Sequence, residues 1–209
     1  RGWSNKDRQS AYDGFDQAAL FSRLVSWSPV VRERAAMALA RHEKVPMKPL
    51  LAMLEGSSIE TRLGACQALA QLKSKAAPAV PALRAMLKHE DLWLRIKAAD
   101  ALAAIGDAAM PAVPELLELL AQMDKEKDPR GMQQRYLSFA LFNRRGGLLG
   151  RSLEGVDREL LYRAVRAGLK NDDGRARGSF GSVYQRLSFE EIKPLLPAIH
   201  RAVVEPSPS

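Results

Sequence analysis

The sequence predicts an all-α protein: a solenoid of about five stacked antiparallel helix pairs, preceded by an N-terminal half-unit. Three observations predict it. First, one pattern recurs three times, as Val31-Arg32, Ala38-Leu39, Met53-Leu54; as Thr61-Arg62, Ala68-Leu69, Met86-Leu87; and as Leu94-Arg95, Ala101-Leu102, Leu119-Leu120. Self-similarity at this spacing is the signature of stacked helical hairpins. Second, Ser28, Ser58 and Asp91 each stand four residues before the arginine of their copy. A side-chain oxygen there can accept from the free N–H groups of a first helical turn. Third, a shift of 145 residues carries Leu24 to Leu169, Ser28 to Asp173 and Arg32 to Arg177 without a gap. It also carries Lys48-Pro49-Leu50-Leu51 onto Lys193-Pro194-Leu195-Leu196, letter for letter.

The elements follow in order. Residues 1–27 form the half-unit, with Leu20, Phe21 and Leu24 on one face of a helix over 14–24. Unit one (28–57) starts with Pro29 at the first helical position, where its missing N–H costs nothing. Units two (58–90) and three (91–127) each open their second helix near a proline pair, Pro78-Ala79-Val80-Pro81 and Pro111-Ala112-Val113-Pro114, 33 residues apart. Leu54, Leu87 and Leu120 are also 33 apart, whereas Leu39, Leu69 and Leu102 are separated by 30 and then 33. The missing three residues lie between Leu39 and Leu54, in a turn, where length changes are tolerated. Unit four (128–172) is irregular. It runs from Asp128-Pro129 through Tyr136 to Phe142, turns at 144–152, and returns through Val156 to Leu169. Unit five (173–204) carries Ser188 and Glu191 as a capping box ahead of its last helix. Residues 205–209, a Pro-Ser tail, read as a linker, and the start at Arg1 rather than Met reads as a segment of a longer protein. The whole of 1–209 is expected to be one continuous array.

The capped starts, the arginines at 32, 62 and 95 and the Ala-Leu pairs resemble the HEAT-repeat family. The resemblance is close over 28–120 and recognisable to about residue 204. It implies a right-handed α-solenoid of HEAT-like helix pairs, with second helices on the concave face. It further implies a bacterial-type module within a larger protein, used as a binding scaffold rather than an enzyme. A fold of this kind specifies architecture far better than task.

Composition agrees. Hydrophobic residues make up 46% but aromatics only 6%, which suits helices packed through Ala and Leu, such as Ala35, Ala65 and Ala98. No apolar run approaches the roughly 18 residues that a membrane span needs. Cys66 is the single cysteine, so no intrachain disulfide exists, and its helical position reads as a small core residue. No targeting segment is visible and the compartment is not legible.

Charge concentrates toward the C-terminus. Of the net +8, +5 falls within 126–209, and most of that is arginine. Arginine favours planar, two-pronged contacts with carboxylate or phosphate. Two Arg-Gly stretches, 144–152 and 174–182, read as loops whose backbone N–H groups can cradle an anion. The repeat register puts them on opposite rims, so they form no joint site. In the second helix of unit four, Arg158, Tyr162 and Arg166 share a face at i, i+4, i+8, with Arg163 beside them. The candidate partner surface is therefore Arg144, Arg145, Arg151, Arg158, Tyr162, Arg163 and Arg166. Arg32, Arg62, Arg95 and Arg177, with their caps Ser28, Ser58, Asp91 and Asp173, are structural repeat positions. Glu115 and Glu118 keep the expected groove from being uniformly basic, and Arg84 and Lys88 add charge in unit two.

Catalytic constellations are not expected. His42-Glu43 and His89-Glu90 invite comparison with HEAT-like deoxyhypusine hydroxylases, which hold iron through His-Glu motifs. The pairs are 47 residues apart, out of step with the 30–33 period. His42 falls in a first helix at the slot of Leu72 and Ile105, whereas His89 precedes a cap. HEAT-like alkylpurine DNA glycosylases use aromatic and acidic residues in a basic groove. Here Trp3, Trp27 and Trp93 lie away from the basic stretch, and Asp100 has no partner motif. Nothing favours HEAT-like phycobilin lyases. No metal and no cofactor are expected. The partner is a protein or other domains of the parent chain; nucleic acid or another polyanion is the alternative, and a glycosylase a remote one.

Overall fold

Helices account for all the secondary structure in the computed structural model, which describes residues 4–204. Trp3 and the 205–209 tail lie outside the described residues. The chain's internal contacts fall into two compact units, 1–105 and 106–209.

The first unit holds α1 (Asn5–Ser10), α2 (Gln17–Leu24), α3 (Pro29–Leu39), α4 (Met47–Leu54), α5 (Ile59–Leu72), a 3-10 segment (Lys73–Ala79), α6 (Val80–Met86) and α7 (Leu92–Ile105). The long helices stack in sequence order: α3 packs on α2 and α5, and α5 on α7, with α4 and α6 alongside. The buried positions are those the repeat marks, including Leu20, Leu24, Ala35, Leu39, Leu54, Ala65, Leu69, Leu83, Leu94 and Leu102, all fully buried. Alanine at so many of them lets helix axes approach closely. The closest approach needs glycine: a Cβ on Gly64 would lie 1.9 Å from the Leu24 carbonyl oxygen, so α2 and α5 meet there backbone to backbone. The two proline pairs act alike in the two units. Pro78 and Pro111 sit inside 3-10 segments, and Pro81 and Pro114 stand in the first turn of the α-helix that follows.

Caps follow the repeat with one exception. Ser58 accepts from the Thr61 N–H at 3.1 Å and Asp91 from the Leu94 N–H at 2.7 Å. Ser28 stands at the N-cap of α3 but its side chain accepts no capping bond. Pro29 removes one of the orphan donors, and the turn beyond it is open to water, with Val30 50% exposed. The helix also ends early, at Leu39. His42 therefore lies in the bend beyond it, half-buried, and not in the helix that the repeat register predicts. Near this bend the chain is tied to the N-terminal region instead: Arg41 pairs with Asp13, and the Gln17 amide donates to the Lys44 carbonyl at 2.5 Å.

The second unit holds a 3-10 segment (Asp107–Ala112), α8 (Val113–Ala121), α9 (Met132–Phe142), α10 (Arg158–Gly168), α11 (Gly174–Gly178), α12 (Gly181–Tyr184), α13 (Phe189–Ile192), a 3-10 segment (Lys193–Leu195) and α14 (Leu196–Val204). Helix α10 packs against α8, and α9 against α8 and α11. Leu116, Leu120, Leu137, Leu141, Phe142, Leu161, Val165 and Phe180 form the core. The Phe142 and Phe180 rings lie 5.4 Å apart, and the Ser182 hydroxyl donates to the Phe142 carbonyl at 2.7 Å. The stretch 174–182, expected as a loop, is instead α11 and the start of α12, begun by Asp173, whose carboxylate accepts from the Arg175 N–H at 2.8 Å. The same arginines and glycines are compatible with a helical turn once an aspartate caps it. Ser188 and Glu191 form a complete capping box at the start of α13.

Candidate partner surface

The repeated arginines all serve their own chain. Arg32 Nη1 donates to the carbonyls of Ser26 at 2.6 Å and Trp27 at 2.9 Å. Arg95 Nη1 reaches those of His89 and Glu90 at 2.8 and 2.7 Å, and Arg177 Nη1 those of Asn171 and Asp172 at 2.7 and 3.1 Å. Arg62 Nε donates to the Gly56 carbonyl at 2.6 Å. In each case the guanidinium turns back to the carbonyls five or six residues upstream and closes the turn leading into its helix. Such carbonyls lose water as the units stack, and a charged donor satisfies them strongly. Some also reach forward: Arg32 Nε to the Gln67 side-chain oxygen at 3.2 Å, and Arg62 Nη1 to His89 Nε2 at 2.7 Å. His89 Nδ1 accepts from the Asp91 N–H at 3.0 Å, so both ring nitrogens are already in contact with protein groups.

Unit four follows the rule with different residues. Gly131 occupies the N-cap of α9 with φ +59°, and Arg135 stands four positions on, in the arginine slot. The helix thus begins at Met132, three residues after the expected Asp128-Pro129 start. The Asp128 carboxylate caps it from outside, accepting from the N–H groups of Met132 and Gln133 at 2.9 and 2.8 Å. Arg135 reaches forward to Asp173 at 3.0 Å. The backward role passes to two buried amides: Gln133 donates to the Leu119 carbonyl at 3.0 Å and Gln134 to that of Leu120 at 3.2 Å. The 33-residue count passes over Gln133, Gln134 and Arg135. The signal that marks them is Gly131, a glycine four residues ahead of an arginine.

The seven candidate surface residues divide. Arg158 Nε pairs with Glu191 at 2.8 Å, and its Nη1 donates to the Leu153 carbonyl at 2.8 Å. Arg166 donates to the Pro194 carbonyl at 3.2 and 3.4 Å. Tyr162, between them, is buried, and that burial raises its phenol pKa. The i, i+4, i+8 face of α10 is thus covered by the 190–195 segment of its own unit. The Ser188 N–H, and after it the Arg158 guanidinium, hold the Glu191 carboxyl down at about 2. Arg144, Arg145, Arg151 and Arg163 are exposed, and none has a carboxylate partner among the described residues.

The loop that carries three of these cannot cradle an anion through its backbone. Its N–H groups turn inward: Gly147 donates to the Asn143 carbonyl at 2.8 Å, Leu148 to Ala140 at 3.0 Å, Leu149 to Leu141 at 2.7 Å and Gly150 to Gly147 at 2.9 Å. The winding is tight enough that a Cβ on Gly150 would lie 2.1 Å from the Asn143 carbonyl oxygen. Arg186, from the turn after α12, donates to the Leu149 carbonyl at 3.2 Å and to that of Gly150, fixing the loop from behind. The arginine side chains alone face outward.

The other chemically suggestive residues are structural in their surroundings. Cys66 is fully buried, and burial pushes its thiol up to about 12. Asp100 pairs with Lys97 at 3.0 Å, and burial raises its carboxyl despite that cation. Among the described residues no group of three or more His, Cys, Asp or Glu side chains could hold a metal ion, and no helix is long and apolar enough to cross a membrane. Trp27 is 83% exposed and Trp93 45%.

Comparison with known proteins bears on this arrangement. A family model described as HEAT repeats matches residues 47–132. No curated protein matches the chain. Among solved structures, the crystal structure of an engineered protein from the Northeast Structural Genomics Consortium is 20% identical, covers 90% of this chain and 97% of its own, and superposes with a TM-score of 0.38. HEAT repeats serve in general as non-catalytic scaffolds for protein interactions. The chain therefore carries HEAT repeats over 47–132, where the regular copies lie, and with helices alone as its secondary structure among the described residues it is all-α, as an α-solenoid is.

Proposed function

We propose that the chain is a non-catalytic scaffold that binds a protein, or another domain of its parent polypeptide. Trp27 carries this reading. It is 83% exposed, yet it stands on a turn whose Ser26 and Trp27 carbonyls are both held by Arg32. A large aromatic presented on a fixed backbone costs little entropy to bury, which is how interface anchors work. Val25 and Val30, 46% and 50% exposed, extend the apolar surface on either side of it in sequence. The test is affinity capture by the wild-type and Trp27→Asp chains, followed by calorimetric titration of each purified captured protein. The expected result is saturable binding that Trp27→Asp weakens at least about tenfold, as loss of a central anchor does. Absence of any saturable partner, or substrate turnover by the purified chain that a single substitution abolishes, overturns it.

The nucleic-acid reading draws on Arg144, Arg145, Arg151 and Arg163, which remain exposed. It loses Arg158 and Arg166 to internal bonds. Salt titration of binding to duplex and single-stranded DNA tests it, since each phosphate contact adds a slope of about 0.9 for duplex.

A further inference from the structure

Three of the exposed arginines of the second unit stand on one loop. Between Asp128 and Glu154 the chain carries five arginines and no acidic residue. Of these, Arg144, Arg145 and Arg151 project from one loop whose backbone is locked to the end of α9 by its own N–H groups. A fourth guanidinium, that of Arg186, bonds the back of the same loop. Burial lowers the pKa of Arg186, and the charge of Arg144 lowers it further, so the two cations feel each other. None of the four has a carboxylate partner among the described residues. Like charges held together on a rigid backbone repel, and an incoming anion relieves that repulsion. One helical turn before the loop, α9 exposes Phe139, at 44%. Arginine beside an exposed aromatic is the composition enriched at protein interfaces.

We infer that the 144–151 loop, backed by Arg186 and flanked by Phe139, is a docking site for an acidic, partly apolar segment of a protein partner. The inference rests on the scaffold reading and adds a second surface, chemically distinct from Trp27. A protein segment fits better than a nucleic acid for two reasons. The arginine cluster on the loop is short, and Arg158, Arg166 and Arg177 do not extend it, being tied to carbonyls and a carboxylate of their own unit. The loop's N–H groups, which would otherwise hold phosphate oxygens, face inward. What remains is a set of planar guanidinium forks that match carboxylates in pairs.

The full chain is titrated by fluorescence anisotropy with a labelled peptide of alternating Glu, Asp and Leu, at low and at physiological salt, and in parallel with a labelled DNA duplex. The wild type is expected to bind the peptide, more weakly as salt screens the charges. Arg144→Glu/Arg145→Glu is expected to lose about tenfold or more, because each reversal replaces an attraction with a repulsion. Phe139→Ala is expected to lose less. Lys75→Glu, an exposed lysine of the first unit, is the control and should change nothing. Circular dichroism confirms that each variant folds. If the wild type fails to bind the peptide, or binds it equally well with both loop arginines reversed, the inference is wrong while the Trp27 reading stands. If the duplex binds more tightly than the peptide and the same reversal abolishes it, nucleic acid is the ligand, and the inference and the scaffold reading both fall.

Discussion

Replacing Arg32 should cost more than replacing any exposed arginine of the chain, although its charge is no different. The side chain is 5% exposed and makes three hydrogen bonds, to the Ser26 and Trp27 carbonyls and to Gln67. A bond from a charged donor contributes about 1.5–3 kcal/mol. The Trp27 carbonyl sits in an open turn and can rehydrate, so its bond counts for little. The Ser26 bond and the longer Gln67 bond remain, and Arg32→Ala is expected to lose about 3 kcal/mol. Arg32→Lys keeps the charge but not the fork, and should lose about half of that. Urea denaturation of the full chain, followed by circular dichroism, reads the midpoint shift. Because the chain divides into two compact units, a single transition is not assumed. Hydrogen exchange at residues 26–32 reads the same effect locally. Arg163→Ala, which removes an exposed arginine, serves as the reference and should stay within about 0.5 kcal/mol of wild type. If Arg32→Ala is as stable as Arg163→Ala and protects the 26–32 amides equally, the turn-closing role assigned to the repeated arginines is wrong.

Other outcomes follow from the packing and the titrating groups. Gly64→Ala places a Cβ 1.9 Å from the Leu24 carbonyl oxygen, so α2 and α5 must separate, at an expected cost of about 2–3 kcal/mol in a thermal melt. Glu191, held at about 2 against an ordinary 4.5, has a depressed folded-state pKa; its stabilising bonds are complete above about pH 4.5 and fade as pH falls toward 2. Glu191→Gln should flatten that part of the pH–stability curve, and a curve of unchanged slope would show that the Ser188 and Arg158 contacts do not hold the carboxylate. Cys66, fully buried and pushed up to about 12, should react with a thiol reagent only at the rate of unfolding, so prompt labelling of the native chain would contradict its burial. Arg186→Ala should raise amide exchange across 144–151, since it releases the Leu149 and Gly150 carbonyls.

The repeat was legible because its signal is local and periodic. The Ala-Leu pairs, the capped starts and the proline pairs recur at nearly constant spacing, and their positions coincide with the buried faces and helix starts of the structure. Unit four was harder to read for the same reason in reverse. Arg135 lies 40 residues after Arg95 and 42 before Arg177, so counting by 33 passes over it. The turn-closing function there is shared by Gln133 and Gln134, whose residue type carries no such pattern. The 174–182 stretch looked like a loop because glycine and serine are common there; an aspartate cap and the burial of Ala176, Phe180 and Val183 make it helical.

From residue order alone came the class of fold, the helix pairs, and the positions whose side chains must be small or apolar. These depend on periodicity and on bonds between residues only a few places apart, and such information lies within one turn of chain. Which arginines are free to meet a partner could not come from there. Arg158 and Arg166 share a composition and a helix with Arg163, but their partners, Glu191 and Pro194, lie 33 and 28 residues away. Their availability depends on how the 190–195 segment of the same unit folds back over α10, whereas the 144–151 arginines stay outside on a loop held by its own N–H groups.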